Sequence, residues 1–122
     1  MNSTIMIVDD DEVLGRVLTR ILTRQGHRVA RAGSAGQAME MAKEHCFQLA
    51  LIDLCLPDGD GIKLARQLRT EQPNLVLIMI TAYPLSIREH RGLASDFTRV
   101  LVKPLDLAEL RQAVEASLAL CT

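Results

Sequence analysis

Short apolar runs alternate with helix-periodic segments along the whole of this chain, and that alternation sharply limits the folds open to it. The runs lie at 5–8, 47–52, 75–80 and 99–102, with a weaker one at 27–31. Between them, apolar residues recur at helical spacing: Val13, Leu14, Val17, Leu18, Ile21 and Leu22, then Ala38, Met39 and Ala42. Ile62, Leu64, Ala65 and Leu68 form a third such set, and Leu107, Leu110, Val114 and Leu118 a last one. Gly26 suits the end of the first helix, and Ser34 and Asp106 suit helix N-caps. Pro57, Gly59 and Gly61 predict a loop, and Pro73 ends the helix that follows it. Residues 84–92 read as a poor helix, with Leu85 and Ile87 its inward positions. Five βα units in succession predict a parallel sheet covered by helices on both faces.

Four of the runs end on polar residues. Asp9, Asp10 and Asp11 follow the first run, Asp53 follows 47–52, Thr81 follows 75–80 and Lys103 follows 99–102. Right-handed crossovers in a doubly wound sheet leave two common strand orders. In the order 2-1-3-4-5, the acidic cluster lies beside Asp53, with Thr81 on the next strand and Lys103 on the one after. Carboxylates, a hydroxyl and an ammonium then share the sheet edge at which such folds place their ligands. The expectation is an α/β domain spanning residues 1–122, a doubly wound five-stranded parallel sheet in that order, with no output domain.

Composition narrows the function. Apolar residues make up 48% of the 122 and aromatics only 2%, so the core is aliphatic. A net charge of −1 gives no general attraction to nucleic acid or anionic membrane. No run is long enough to span a bilayer, and the N-terminus lacks the basic stretch of a signal peptide. Cys46, Cys55 and Cys121 are odd in number and fit no metal-ligand spacing, which points to a reduced cytoplasmic setting.

At this point four pieces of sequence resemble the receiver domain of two-component response regulators. They are Ile7-Val8-Asp9-Asp10, Leu51-Ile52-Asp53-Leu54 with Leu56-Pro57-Asp58-Gly59-Asp60-Gly61, Ile80-Thr81-Ala82, and Leu101-Val102-Lys103-Pro104. The resemblance covers essentially the whole chain and implies a flavodoxin-like receiver fold. It also implies a phosphoryl acceptor at Asp53, supplied by a phosphohistidine on a sensor histidine kinase or a histidine phosphotransfer protein. A carboxylate nucleophile of this kind forms an aspartyl-phosphate. The resemblance assigns Mg²⁺ to Asp9, Asp10, Asp53 and the backbone carbonyl of Cys55. Clustered carboxylates repel one another, which suits a resident cation with oxygen ligands. Lys103 is expected to pair with Asp53 and then with a phosphoryl oxygen, and Thr81 to offer its hydroxyl there. A cis Lys103-Pro104 bond is implied as well. Phosphorylation would then change affinity for a downstream protein, and homodimer formation is left open.

Other residues read more plainly. Asp11, beside Glu12, suits the positive start of the first helix. His27, His45 and His90 have no partners at metal-ligand spacing. Arg88, Arg91 and Arg99 read as a solvated basic face near the fourth helix. Two positions depart from the family pattern: Val100 stands where an aromatic is usual, and Asp96 where glycine is usual. Phe97 accompanies them in a loop that looks like those of receivers joined to hybrid kinases. Val100 leaves the route from site to surface open, and Tyr83 is the aromatic placed to report on the site instead.

Two rivals follow from the same residues. A magnesium-dependent phosphatase or phosphotransferase acting on an external substrate commonly has an acid/base carboxylate two positions past its nucleophile, where this chain has Cys55. A flavin- or nucleotide-binding flavodoxin-like module fits the fold but lacks a glycine-rich phosphate loop after the first strand.

Overall fold

The computed structural model of the chain describes residues 3–82 and 97–119. Its elements in order are β1 (Thr4–Val8), α1 (Glu12–Arg24), β2 (Arg28–Ala32), α2 (Ala35–Glu44) and β3 (Leu49–Asp53). A two-stranded hairpin follows, β4 (Cys55–Leu56) and β5 (Gly59–Asp60), then α3 (Gly61–Glu71), β6 (Val76–Thr81), β7 (Arg99–Val102) and, here α4, the helix Leu107–Ala119. The five long strands form one parallel sheet in the order β2-β1-β3-β6-β7. Counting the long strands alone, this is the expected 2-1-3-4-5.

Strand alternation divides the interior in two. Met6, Val8, Ala50, Ile52, Leu77 and Met79 face α2 and α3, where Ala38, Ala42, Ile62, Ala65 and Leu68 meet them. Ile5, Ile7, Leu49, Leu51, Ile78 and Ile80 face α1 and α4, against Leu18, Leu22, Leu110 and Val114. Burying both faces is what lets β3 read as a continuous apolar run.

Helix ends follow the sequence closely. Asp11 accepts the Leu14 N–H at 3.1 Å and is the N-cap of α1. Ser34 caps α2, and Asp106 Oδ1 accepts the Ala108 and Glu109 N–H groups at the start of α4. Gly26 ends α1 in the left-handed region, φ 95°. Its N–H reaches Thr23 O at 3.0 Å and the His27 N–H reaches Leu22 O at 3.2 Å, the paired bonds of a Schellman motif.

Three expectations change. The predicted loop at Pro57, Gly59 and Gly61 is an ordered antiparallel hairpin, because Pro57-Asp58 makes a two-residue turn between the paired residues Leu56 and Gly59. Val13 and Val17 belong to the apolar set of α1 yet are exposed, because the helix buries the stripe of Gly15, Leu18 and Leu22, with Leu14 and Ile21 half-buried. β3 and β6 also end one residue later than expected, so that Asp53 and Thr81 are the last residues of their strands. The weak helix at 84–92, with Tyr83, Arg88, His90, Arg91 and Asp96, lies outside the described residues, as does Cys121.

Candidate functional site

The C-terminal edge of the sheet brings the strand ends together. Asp9 follows β1, which pairs with β3, and Asp53 closes β3 in register with Ile80 of β6. Thr81 ends β6 opposite Val102, and its carbonyl accepts the Lys103 N–H at 2.8 Å. Four residues remote in sequence therefore meet because parallel strands all run toward the same edge.

Asp9 and Asp53 are buried there, while Asp10 is exposed. Lys103 Nζ donates to Asp53 Oδ2 at 2.9 Å and forms an ion pair with Asp9 Oδ2, also at 2.9 Å. The other oxygen of each carboxylate is held by the backbone. Asp9 Oδ1 accepts the Asp11 N–H at 2.9 Å, and Asp53 Oδ1 accepts the Cys55 N–H at 3.0 Å. Lys103-Pro104 is a cis peptide, as the sequence implied.

Burial is the largest influence on Asp53 and raises its pKa above the usual 3.8; the Asp9 charge adds to this, while bonds from Lys103 and Cys55 oppose it. For Lys103, burial alone would lower the pKa. Bonds to Asp53 and Asp9, with their charges, outweigh burial and hold the ammonium above 10.5. The edge is therefore a partly dry site carrying two carboxylates on one cation.

Asp9, Asp10 and Asp53 each offer an oxygen within 4.8 Å of the others. Such a hard, all-oxygen set fits Mg²⁺ or Ca²⁺ and not a thiophilic metal. The Cys55 side chain is exposed and free, as is Cys46.

Thr81 is fully buried at the end of β6, so its hydroxyl lies inside the sheet edge instead of on open surface. Val100 is half-buried and packs with the α2–α3 side of the core. His27 is buried and faces Glu115 Oε1 at 3.3 Å, His45 is the C-cap of α2, and neither belongs to the acidic cluster. Arg99 is exposed.

Sequence reasoning missed what Gly61 and Asp58 touch. Gly61 packs against the Asp53 carbonyl so closely that a Cβ there would collide with it. Asp58 joins the hairpin turn to the start of α2, accepting the Ala35 and Gly36 N–H groups at 2.8 and 3.0 Å. The Pro57-Asp58-Gly59 turn signal was visible, but nothing local to it revealed which helix it meets.

A doubly wound sheet with clustered carboxylates and one lysine at its C-terminal edge defines the response-regulator type of α/β domain. The sequence profile of the response regulator receiver domain matches residues 5–115, and the chain belongs to that family. It is 33% identical over 115 residues to the transcriptional regulatory protein ZraR of Klebsiella oxytoca, covering 94% of this chain but only 26% of that regulator. A CheY-like receiver domain protein from Methanospirillum hungatei superposes with a TM-score of 0.91 at 27% identity, covering 99% of this chain and 97% of that one. A response regulator from Burkholderia pseudomallei, solved with a phosphorylated aspartic acid, a calcium ion and citrate, superposes at 0.83 with 26% identity, covering 96% and 69% of the two chains. Among the described residues, no helix is long and apolar enough to cross a membrane.

Proposed function

We propose that this receiver accepts a phosphoryl group on Asp53 from a phosphohistidine of a sensor histidine kinase or histidine phosphotransfer protein, in the cytoplasm, and thereby changes its affinity for a downstream protein. The observation that carries this reading is Lys103 Nζ seated 2.9 Å from both Asp53 and Asp9 at the sheet edge. In the transfer, the phosphorus–nitrogen bond of the donor breaks, an Asp53 oxygen bonds to phosphorus, and the leaving imidazole keeps the electron pair and takes a proton. Asp9, Asp10, Asp53 and the Cys55 carbonyl would hold Mg²⁺, which when bound offsets the charge on the transferring phosphoryl oxygens. Lys103 keeps Asp53 ionised against its burial, and its ammonium then meets the new phosphoryl charge of about −1.5 to −2. Thr81 would donate its hydroxyl to a phosphoryl oxygen. Turning a two-state surface from almost off to almost on takes about 5.5 kcal/mol of differential stabilisation, which these contacts share.

Support for an aspartyl-phosphate also comes from the Burkholderia regulator, which carries one on the same fold. The test is incubation with a small-molecule phosphodonor and Mg²⁺, followed by intact mass spectrometry. Wild type should gain one phosphoryl group and Asp53→Ala none. An adduct that persists in the variant, or never forms in the wild type, rejects the assignment. Turnover of an unrelated phosphomonoester would instead favour a phosphatase.

A further inference from the structure

The first four N–H groups of a helix have no partner within it. In α2 the amides of its first three residues, Ala35, Gly36 and Gln37, are all satisfied, and two of the three partners come from far along the chain. Gln37 N–H donates to Ser34 Oγ at 3.2 Å and Ala38 N–H to Ser34 O at 3.1 Å, as an ordinary N-cap provides. Ala35 N–H and Gly36 N–H instead donate to the two oxygens of Asp58, 23 and 22 residues away. These bonds hold the Asp58 carboxyl below its usual 3.8, the Gly36 amide foremost, although the side chain is open to solvent.

From Asp58 the path to Asp53 is short and fixed. Asp58 occupies the turn of the β4–β5 hairpin, whose other end pairs Cys55 with Asp60. Asp60 caps α3 through the Ile62 N–H at 2.7 Å. Cys55 donates its N–H to Asp53 Oδ1 at 3.0 Å. The hairpin is therefore pinned at its tip by α2 and at its base by α3, with the Asp53 carboxylate tied to that base.

We propose that Asp58 is a positioning residue for the phospho-acceptor site: by docking on the start of α2 it sets the hairpin, and through Cys55 it orients the Asp53 carboxylate and the Cys55 carbonyl. The proposal rests on Asp53 being the acceptor. A residue serving only as a helix cap would affect the stability of α2 and leave metal binding at Asp53 alone.

Three variants of the full chain separate these roles. Asp58→Ala removes both acceptors, and Asp58→Asn keeps one. Ala35→Pro removes one donor from the opposite side, at a first helical position where proline is well accommodated and where Ser34 before it is already extended, φ −153° and ψ 163°. Mg²⁺ is titrated by calorimetry, the Cys55 amide is followed by NMR in metal-free protein, and thermal unfolding reports the cap. The Mg²⁺ dissociation constant should rise about tenfold in Asp58→Ala, the scale of losing an outer-shell partner of a metal site. Smaller rises should follow in the other two, with the Cys55 resonance moving in the same order. If Asp58→Ala does not fold, Asp58→Asn and Ala35→Pro make the same comparison. Lowered thermal stability with unchanged Mg²⁺ affinity and an unmoved Cys55 resonance overturns the proposal alone. A wild type that takes up no Mg²⁺ overturns it together with the assignment of the site.

Discussion

Lys103 Nζ donates to Asp53 Oδ2 at 2.9 Å, so the carboxylate proposed as phosphoryl acceptor is already engaged by the cation that would meet the product. The same ammonium sits 2.9 Å from Asp9, and one positive charge serves two buried carboxylates. A cation held by Asp9, Asp10 and Asp53 would therefore share carboxylates with the lysine. Each is worth more in this partly dry edge than in open water.

Lys103→Met removes the donor without adding a polar group. Phosphorylation by a small-molecule donor should slow about 100-fold, as when a preorganised donor to a developing charge is lost. Mg²⁺ should bind more tightly to the variant, because a like charge has left the site. Calorimetry and timed mass spectrometry read the two effects, and weaker Mg²⁺ binding in the variant would contradict the competition.

Asp53→Asn should stabilise the fold. Burial, with the Asp9 charge, lifts the folded pKa of Asp53 above 3.8, so the folded state binds its proton more tightly than the unfolded chain does. Stability from this group is then present below 3.8 and falls as pH rises through the raised folded value. Asn carries no such term. Urea unfolding at neutral pH should show the variant ahead by about 0.5–2 kcal/mol, with the gap narrowing as pH falls through the raised folded value and closed below 3.8. At the alkaline end, the Lys103 contribution should fade as pH climbs through its folded value above 10.5.

Gly61→Ala places a methyl against the Asp53 carbonyl and the adjoining Leu54 backbone, neither of which can swing aside as a side chain would. Overpacking of this kind costs about 1–3 kcal/mol. Chemical denaturation should show that loss, accompanied by slower phosphorylation, since the displaced backbone is that of Asp53, the proposed acceptor.

Gln72→Ala tests the opposite edge of the sheet. Its side chain accepts the Phe47 N–H at 2.8 Å and donates to Ala42 O and His45 O at 2.9 and 2.7 Å, tying the end of α2 to the approach to β3. Leaving these groups unpaired should cost about 1–3 kcal/mol in urea unfolding. The phosphorylation rate should stay unchanged, because no atom of this network touches Asp53.

Signals carried by neighbouring residues were legible in the sequence. The apolar runs gave the strands, Asp11, Ser34 and Asp106 gave the caps, and strand order placed Asp9, Asp53, Thr81 and Lys103 at one edge. The Lys103–Asp53 pair, 50 residues apart, followed from the resemblance, but the long-range contacts of the turn and of the helix start were not legible. Nothing near Asp58 says that it reaches Ala35 and Gly36, and nothing near Gly61 says that it lies against Asp53. Periodicity also overstated the buried face of α1. Val13 and Val17 share the helical repeat but stand off the buried Gly15, Leu18 and Leu22 stripe, and both are exposed.

β3 is buried at all five residues and laddered to β1 on one side and β6 on the other. Interior amides of such a strand reach solvent only when the whole domain opens, so β3 belongs to the last cooperative unit to give way. Asp53 is the final residue of that strand, whereas Cys55 and Asp58 lie on an exposed hairpin. Isotope exchange along the chain should therefore divide sharply within two residues of the acceptor. The Asp53 backbone should exchange only as the native state opens, while the exposed hairpin beside it should exchange sooner.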